Sequence, residues 1–179
     1  MQGLKDIPYI EISLASQCLR LKCNAIVLME CRVSTSRNGP GEVRGSFCTP
    51  RGEHVIYEKI GADCPLDTVF VGRCPTGVIY TPELRTRFPD RDWILTRILW
   101  LAGVEVGRNC GGDVDSRERY IYIHGAPEDT PMGVPGSRGC VRMRNADILQ
   151  LFNRVEIGTR VMILEEDDKI YGHRHGVPR

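Results

Sequence analysis

The 179-residue sequence has no surplus of either charge: 24 Lys and Arg stand against 23 Asp and Glu, a net +1. A balanced chain exerts no general pull on nucleic acid or an acidic membrane, so neither is an expected partner. No apolar run reaches the roughly 18 residues of a membrane span, which argues against membrane insertion. The longest, around Trp93 to Val104, is interrupted by Thr96-Arg97. The cysteines (18, 23, 31, 48, 64, 74, 110 and 140) contain no CxxC pair, and their spacings match no zinc ribbon or finger. No metal or cofactor is expected. Internal repeats, low-complexity tracts and linkers are also missing. The N-terminal stretch lacks the charged n-region, long apolar core and small-residue cleavage site of a secretory signal. Eight unpaired thiols would be a liability in an oxidising compartment. These two readings lead to the expectation of a cytoplasmic protein, or a periplasmic one if the chain has been trimmed.

What is present is ordinary globular material, 41% hydrophobic and 26% charged, in a length that suits one domain with its own core. Strand signals dominate. Ile10 to Leu14 alternates strictly, and Ala25 to Val33 is a longer apolar run. Glu53 to Ile60, Thr68 to Val71, Trp93 to Leu101, Tyr120 to His124 and Thr159 to Leu164 complete the set. Pro82 to Phe88 suits a short helix. One longer helix is expected late in the chain, with Asn145 as N-cap. Its apolar face is Ile148, Leu151, Phe152 and Val155, at i, i+3, i+4 and i+7. The expected organisation is an N-terminal lead (1–8), one mostly β domain with a packed helix (9–165) and a basic C-terminal tail (166–179).

The chemistry concentrates between Tyr120 and Asn145. Alternation along Arg119 to His124 turns Ile121 and Ile123 toward the core and Tyr120, Tyr122 and His124 the other way. His124 then emerges at the strand's end, where Gly125 lets the chain turn at once. A stiff loop with three prolines and two glycines, Ala126 to Gly136, returns the chain to Ser137-Arg138-Gly139-Cys140. Cysteine attacks as its thiolate and needs a base or positive surroundings, which a histidine across a shaped loop supplies. Taken singly, His124 suits a structural histidine and Cys140 an inert small hydrophobe. Together, each flanked by glycine, they point to nucleophilic catalysis. Backbone N–H groups of Gly139 and Cys140 would face an oxyanion.

The segments His124-Gly125, Met132-Gly133-Val134-Pro135 and Ser137-x-Gly139-Cys140-Val141-Arg142, with the helix that follows, resemble the YkuD-type L,D-transpeptidase catalytic domain. Ile10 to Leu21, Val33-Ser34-Thr35, Thr49 to Gly52 and Asp92 to Arg97 agree in the same order. The resemblance implies a β-rich YkuD-like fold, sandwich- or barrel-like, with one packed helix near the C-terminus. It implies that Cys140 attacks, that His124 is the general base, and that the Gly125 carbonyl orients the imidazole. Arg142 matches the family arginine suited to hold a substrate carboxylate, with a structural salt bridge as the other reading. Ser137, Arg138 and Tyr122 are further candidate substrate-binding residues.

Two departures from the family stand out. The family's histidine before Gly-Cys is Arg138 here, which either lowers the Cys140 pKa, blocks the cavity or marks lost activity. The loop between His124 and Ser137 is also short, with 12 intervening residues. The implied partner is a peptidoglycan tetrapeptide stem or soluble muropeptide. It would be cleaved between its third residue and terminal D-Ala through a thioester. A cytoplasmic location favours water as acceptor, an L,D-carboxypeptidase of muropeptide recycling. The alternatives are an L,D-transpeptidase forming 3-3 cross-links and, because of Arg138, a catalytically impaired stem-binding domain. A redox-sensing thiol protein is a further reading. Sequence assigns no oligomeric state.

Overall fold

A computed structural model describes residues 7–167; residues 1–6 of the expected lead and 168–179 of the expected tail lie outside the described residues. Among the described residues ten strands and two short α-helices follow one another, with a single 3-10 turn at Gly112–Val114. They are β1 (Tyr9–Ser13), β2 (Cys18–Cys23), β3 (Ile26–Arg32), β4 (Gly52–Ile60), β5 (Thr68–Val71), β6 (Cys74–Ile79), α1 (Pro82–Arg87), β7 (Ile94–Gly103), β8 (Tyr122–Ala126), β9 (Val141–Arg144), α2 (Asn145–Phe152) and β10 (Arg160–Leu164). The fold is mostly β, as expected.

The strands form one curled sheet in the order β3-β2-β1-β10-β4-β7-β8-β9, with the β5-β6 hairpin continuing along the edge of β7 that β4 leaves. Its two ends meet. Ser34, just past β3, makes an antiparallel bridge to Arg142 of β9, with N–H···O distances of 3.0 and 2.9 Å. Inside the curl lies the main core, built from alternate residues of β1, β2, β8, β9 and β10 together with Ile148, Leu151 and Phe152 of α2. Burial of this apolar surface is the main term favouring the fold.

Several local expectations change in the folded chain. β1 does not alternate in and out: Glu11 is as buried as Ile10 and Ile12. Its carboxylate is held by Lys22 Nζ at 2.9 Å, with Arg20 Nη1 at 3.7 Å, both from β2. The apolar run of β3 lies at the sheet's edge with Ile26, Val27 and Leu28 exposed, because β2 covers only one side of it. The strand expected from Tyr120 begins instead at Tyr122, since Tyr120 closes a turn at φ +57°. Asn145 is not a cap. It opens α2 as its first residue, and its side chain is drawn off by tertiary partners. Thr96 Oγ1 donates to its Oδ1 at 2.8 Å, and its Nδ2 donates to Asp67 Oδ1 at 2.5 Å. The helix stops at Phe152, yet Val155 still reaches the core. Among the described residues no helix is long and apolar enough to cross a membrane.

Candidate active site

The site grows from one parallel strand pair. β8 and β9 run side by side with Ile123 opposite Val141 and His124 opposite Arg142. Ile121, Ile123, Val141 and Met143 enter the main core, so alternation turns His124 and Arg142 to the opposite face. Cys140, one residue before β9, falls on that face and packs beside Tyr122. Cys140 and His124 are therefore diagonal positions on one face of the pair.

The turn that presents Cys140 is braced from three directions. Gly139 has φ +119°, where an L side chain is strained, and a Cβ would sit 3.2 Å from the Cys48 carbonyl. Its own carbonyl accepts a hydrogen bond from Thr49 Oγ1 at 2.9 Å. Ser137 is fully buried, and its hydroxyl donates to Cys140 O at 2.5 Å while accepting the Gly139 N–H at 3.2 Å. The Thr35 carbonyl accepts from Gly136 and Ser137 N–H at 2.8 and 2.9 Å. Gln17 in turn holds Thr35 through both ends of its amide, at 2.7 and 2.8 Å. The distant Val33-Ser34-Thr35 and Thr49-Pro50 segments are thus the splints of this turn.

Gly125 does not turn the chain, contrary to expectation, because β8 continues through Ala126. Glycine is needed there for closeness. A Cβ would meet Asn145 Oδ1 and, at 2.6 Å, the Leu95 carbonyl. The Gly125 carbonyl lies 2.7 Å from His124 Nδ1. A carbonyl can only accept, so Nδ1 carries the proton and Nε2 keeps its lone pair. Burial holds the imidazole pKa below its ordinary value, with Arg142 adding to the effect and Asp92 and the Gly125 carbonyl opposing it.

Cys140 is half-buried. Its thiol accepts the Tyr122 N–H at 3.4 Å and donates to Tyr120 O at 3.4 Å, rather than hydrogen-bonding the imidazole. Burial pushes the thiol up to about 12; the Tyr122 N–H, Arg142 and Arg119 pull the other way. At neutral pH this face therefore carries a thiol and an uncharged imidazole. Hydrogen bonds of this kind often tighten only when substrate arrives.

The remaining candidates have the following surroundings. Arg142 is engaged by Asp92, with Nη2 to Oδ1 at 2.6 Å, and donates to Gly136 O at 3.2 Å. It borders a cavity of about 200 Å³ that also touches Ser34, Asp92, Trp93 and the proline loop. Tyr122 is buried, its hydroxyl accepting from Arg73 Nη1 at 3.0 Å. Arg138 is exposed and borders a second cavity, of about 250 Å³. Sequence reasoning missed Asp92 and Arg119 as charges acting on the thiol and assigned no part to the Tyr120 carbonyl. Asp92 opens a segment already singled out for its pattern. Arg119 carried no signal, because it reaches the site only through the fold. No group of three or more His, Cys, Asp or Glu side chains is placed to hold a metal among the described residues.

The curled sheet is the fold of solved L,D-transpeptidases. One from Xylanimonas cellulosilytica aligns over 90% of this chain and 62% of its own, at 21% identity and a TM-score of 0.51. L,D-transpeptidase 3 of Mycobacterium tuberculosis aligns over 88% and 62%, at 17% identity and a TM-score of 0.53. The chain belongs to the YkuD family, the L,D-transpeptidase catalytic domain, whose model matches residues 7–163. Two curated Escherichia coli K12 relatives are named Probable L,D-transpeptidase ErfK/SrfK and Probable L,D-transpeptidase YbiS. They are 43% and 45% identical over 51 residues, 28% of this chain and 16% and 17% of their own lengths. These alignments span less than a fifth of either relative.

Proposed function

We propose that this chain is a cysteine-dependent enzyme of its family, acting on peptidoglycan tetrapeptide stems or soluble muropeptides. It cleaves the bond between the third residue and the terminal D-Ala. The observation that carries this reading is the shared face of Cys140 and His124 on β8–β9, with Nδ1 held by Gly125 O and Nε2 open. Cys140 Sγ attacks the acyl carbon while Nε2 takes the thiol proton. The tetrahedral oxyanion is met by the Cys140 backbone N–H, and the Gly139 N–H joins it only by giving up Ser137 Oγ, its present acceptor at 3.2 Å. D-Ala leaves as its amine, receiving the proton from His124, and a thioester remains. An acceptor then resolves it. With Asp92 already on Arg142, a substrate carboxylate at that arginine has to compete with an existing ion pair.

Water is the preferred acceptor in this reading. All eight cysteines are free, which suits a reducing compartment such as the cytoplasm. The stems available there are soluble fragments, so L,D-carboxypeptidase action follows. The test is the purified chain with a disaccharide-tetrapeptide, with and without an amine acceptor, read by mass spectrometry. Expected are tripeptide, free D-Ala and a covalent adduct on Cys140, with Cys140→Ala lowering the rate on the order of 10³-fold or more. Cross-linked dimer as the main product would shift the assignment to transpeptidation. Intact substrate would leave a stem-binding domain.

A further inference from the structure

The second cavity, of about 250 Å³, lies among Arg44, Phe47, Glu118, Arg119, Tyr120 and Arg138. Neither Cys140 nor His124 lines it, so what it holds stands outside the acyl transfer. It has space for roughly eight waters. That is below the range of pockets for drug-sized ligands, so it encloses one compact group and leaves the rest of a ligand at its mouth.

The charges on its wall do not cancel. Arg119 is half-buried and donates to the carbonyls of Glu42, Cys48 and Gly41 at 2.6, 2.7 and 3.2 Å. Carbonyls satisfy its N–H groups without neutralising its charge. Arg138 makes no ion pair or hydrogen bond among the described residues. Arg44 reaches the largely exposed Asp113 only at 4.0 Å, a weak pairing. Glu118, the carboxylate on the wall, is held by Arg117 at 3.0 Å and cancels that charge instead. Arg119 and Arg138 are thus left as two uncancelled cations, with Arg44 a loosely held third. A carboxylate would answer one of them. A phosphate monoester, close to doubly charged above about pH 6, answers both and brings three acceptor oxygens. Guanidinium forks match those oxygens in pairs.

The backbone gives an independent sign. Phe47 and Tyr120, both on the wall, both have φ +57°, a left-handed conformation that bulky side chains avoid. Strain of this kind collects at ligand clamps. The Tyr120 ring lies against Trp100, with centroids 6.1 Å apart. The Phe47 ring is 58% exposed and makes no aromatic or cation–π contact among the described residues. We propose that this cavity binds a phosphomonoester dianion. Arg138 and Arg44 hold its oxygens, Arg119 supplies a fixed positive field, and the organic part of the ester lies on the Phe47 ring. No bond is made or broken, and the site stands independently of the cysteine mechanism. Arg138, at the family's histidine position, is then a ligand-binding residue of a second site.

The experiment is calorimetric titration of the chain at about pH 7.5 with phenyl phosphate and with benzoate, which share a ring and differ in charge. Phenyl phosphate is expected to bind about 10-fold more tightly than benzoate. Arg138→Gln and Arg44→Gln should each weaken it by about 10-fold, as a charge-assisted contact is lost. Both side chains are exposed, so the fold should survive, which a melting scan checks. Phe47→Ala should bring phenyl phosphate down to the affinity of inorganic phosphate. Arg91→Gln, an exposed residue of the cavity beside Arg142, should change nothing. Uridine monophosphate and glucose 6-phosphate distinguish a nucleotide from a sugar phosphate as the source, and binding of neither would overturn the site. Benzoate binding as tightly as phenyl phosphate would also overturn it. So would an affinity untouched by Arg138→Gln and Arg44→Gln, or one lost only in Arg91→Gln.

Discussion

Cysteine nucleophiles work either as preformed thiolates or as thiols deprotonated during attack, and residue 140, the proposed nucleophile, has the surroundings of the second kind. Burial pushes its thiol up to about 12, while burial also lowers the His124 pKa, so neither partner is charged at rest. At pH 7 the thiolate is roughly one part in 10⁵. Alkylation of Cys140 by iodoacetamide, resolved by peptide mass spectrometry from the exposed Cys74, is expected to accelerate about tenfold per pH unit from 7 to 10 without levelling off. A rate already flat between pH 6 and 8 would mean a standing thiolate–imidazolium pair and would sink this account. Arg138 is not among the charges that set the thiol's pKa; Asp92, Arg142 and Arg119 are.

The elements around the site differ in how far pattern alone betrays them. β7, β10 and the helical face of α2 follow apolar runs or periodicity and were legible within a few residues. β6 was not, because Cys74–Ile79 is an exposed edge with Pro75 and Gly77 and has no buried face to impose alternation. β9 has only four residues, two of them arginines, and its identity comes from its parallel partner. His124, Gly125, Gly139 and Cys140 were legible as candidates; Gln17, Thr35 and Thr49 lay in segments singled out for their pattern, but their part as splints was not legible, since it depends on bonds between segments apart in the chain. Asn145 shows what pattern mistakes. It has the composition of a cap but joins α2 to Thr96 of β7 and to Asp67. Asn145→Ala would strand the buried Thr96 hydroxyl and the half-buried Asp67 carboxylate at a cost of about 2 kcal/mol. At roughly 2–4 °C per kcal/mol the melting temperature should drop by about 5 °C. A change under about 1 °C in a calorimetric scan would show that these bonds are replaced by water.

At the scale of the molecule, closure of the curled sheet traps a second histidine far from the chemistry. His54 of β4 is fully buried, with Nε2 2.9 Å from Ser116 Oγ and Nδ1 3.0 Å from Gly52 O. It thereby ties the sheet to the segment between β7 and β8. Burial lowers its pKa to about 4, outweighing the Gly52 carbonyl and Glu105, which favour the charged form. The unfolded chain protonates this group near 6.5 and the folded chain only near 4, so between those values the unfolded state binds more protons. The stabilising contribution is complete above about pH 6.5 and is lost as pH falls toward 4, amounting to about 3 kcal/mol. His124, also lowered by burial, acts in the same direction. Glu42 and Glu105, lowered from 4.5 by hydrogen bonds and arginine partners, lose their contributions at more acid pH, so the histidine window is separable. Urea midpoints measured at pH 7, 6, 5 and 4 should therefore fall in the wild type before the carboxylates titrate. His54→Gln should start lower at pH 7, having lost its fit to Ser116, and decline less steeply from 6.5 to 4. Parallel declines in the two proteins would mean that His54 protonates as readily in the fold as outside it, and the acid sensitivity would then have to arise at the active-site imidazole.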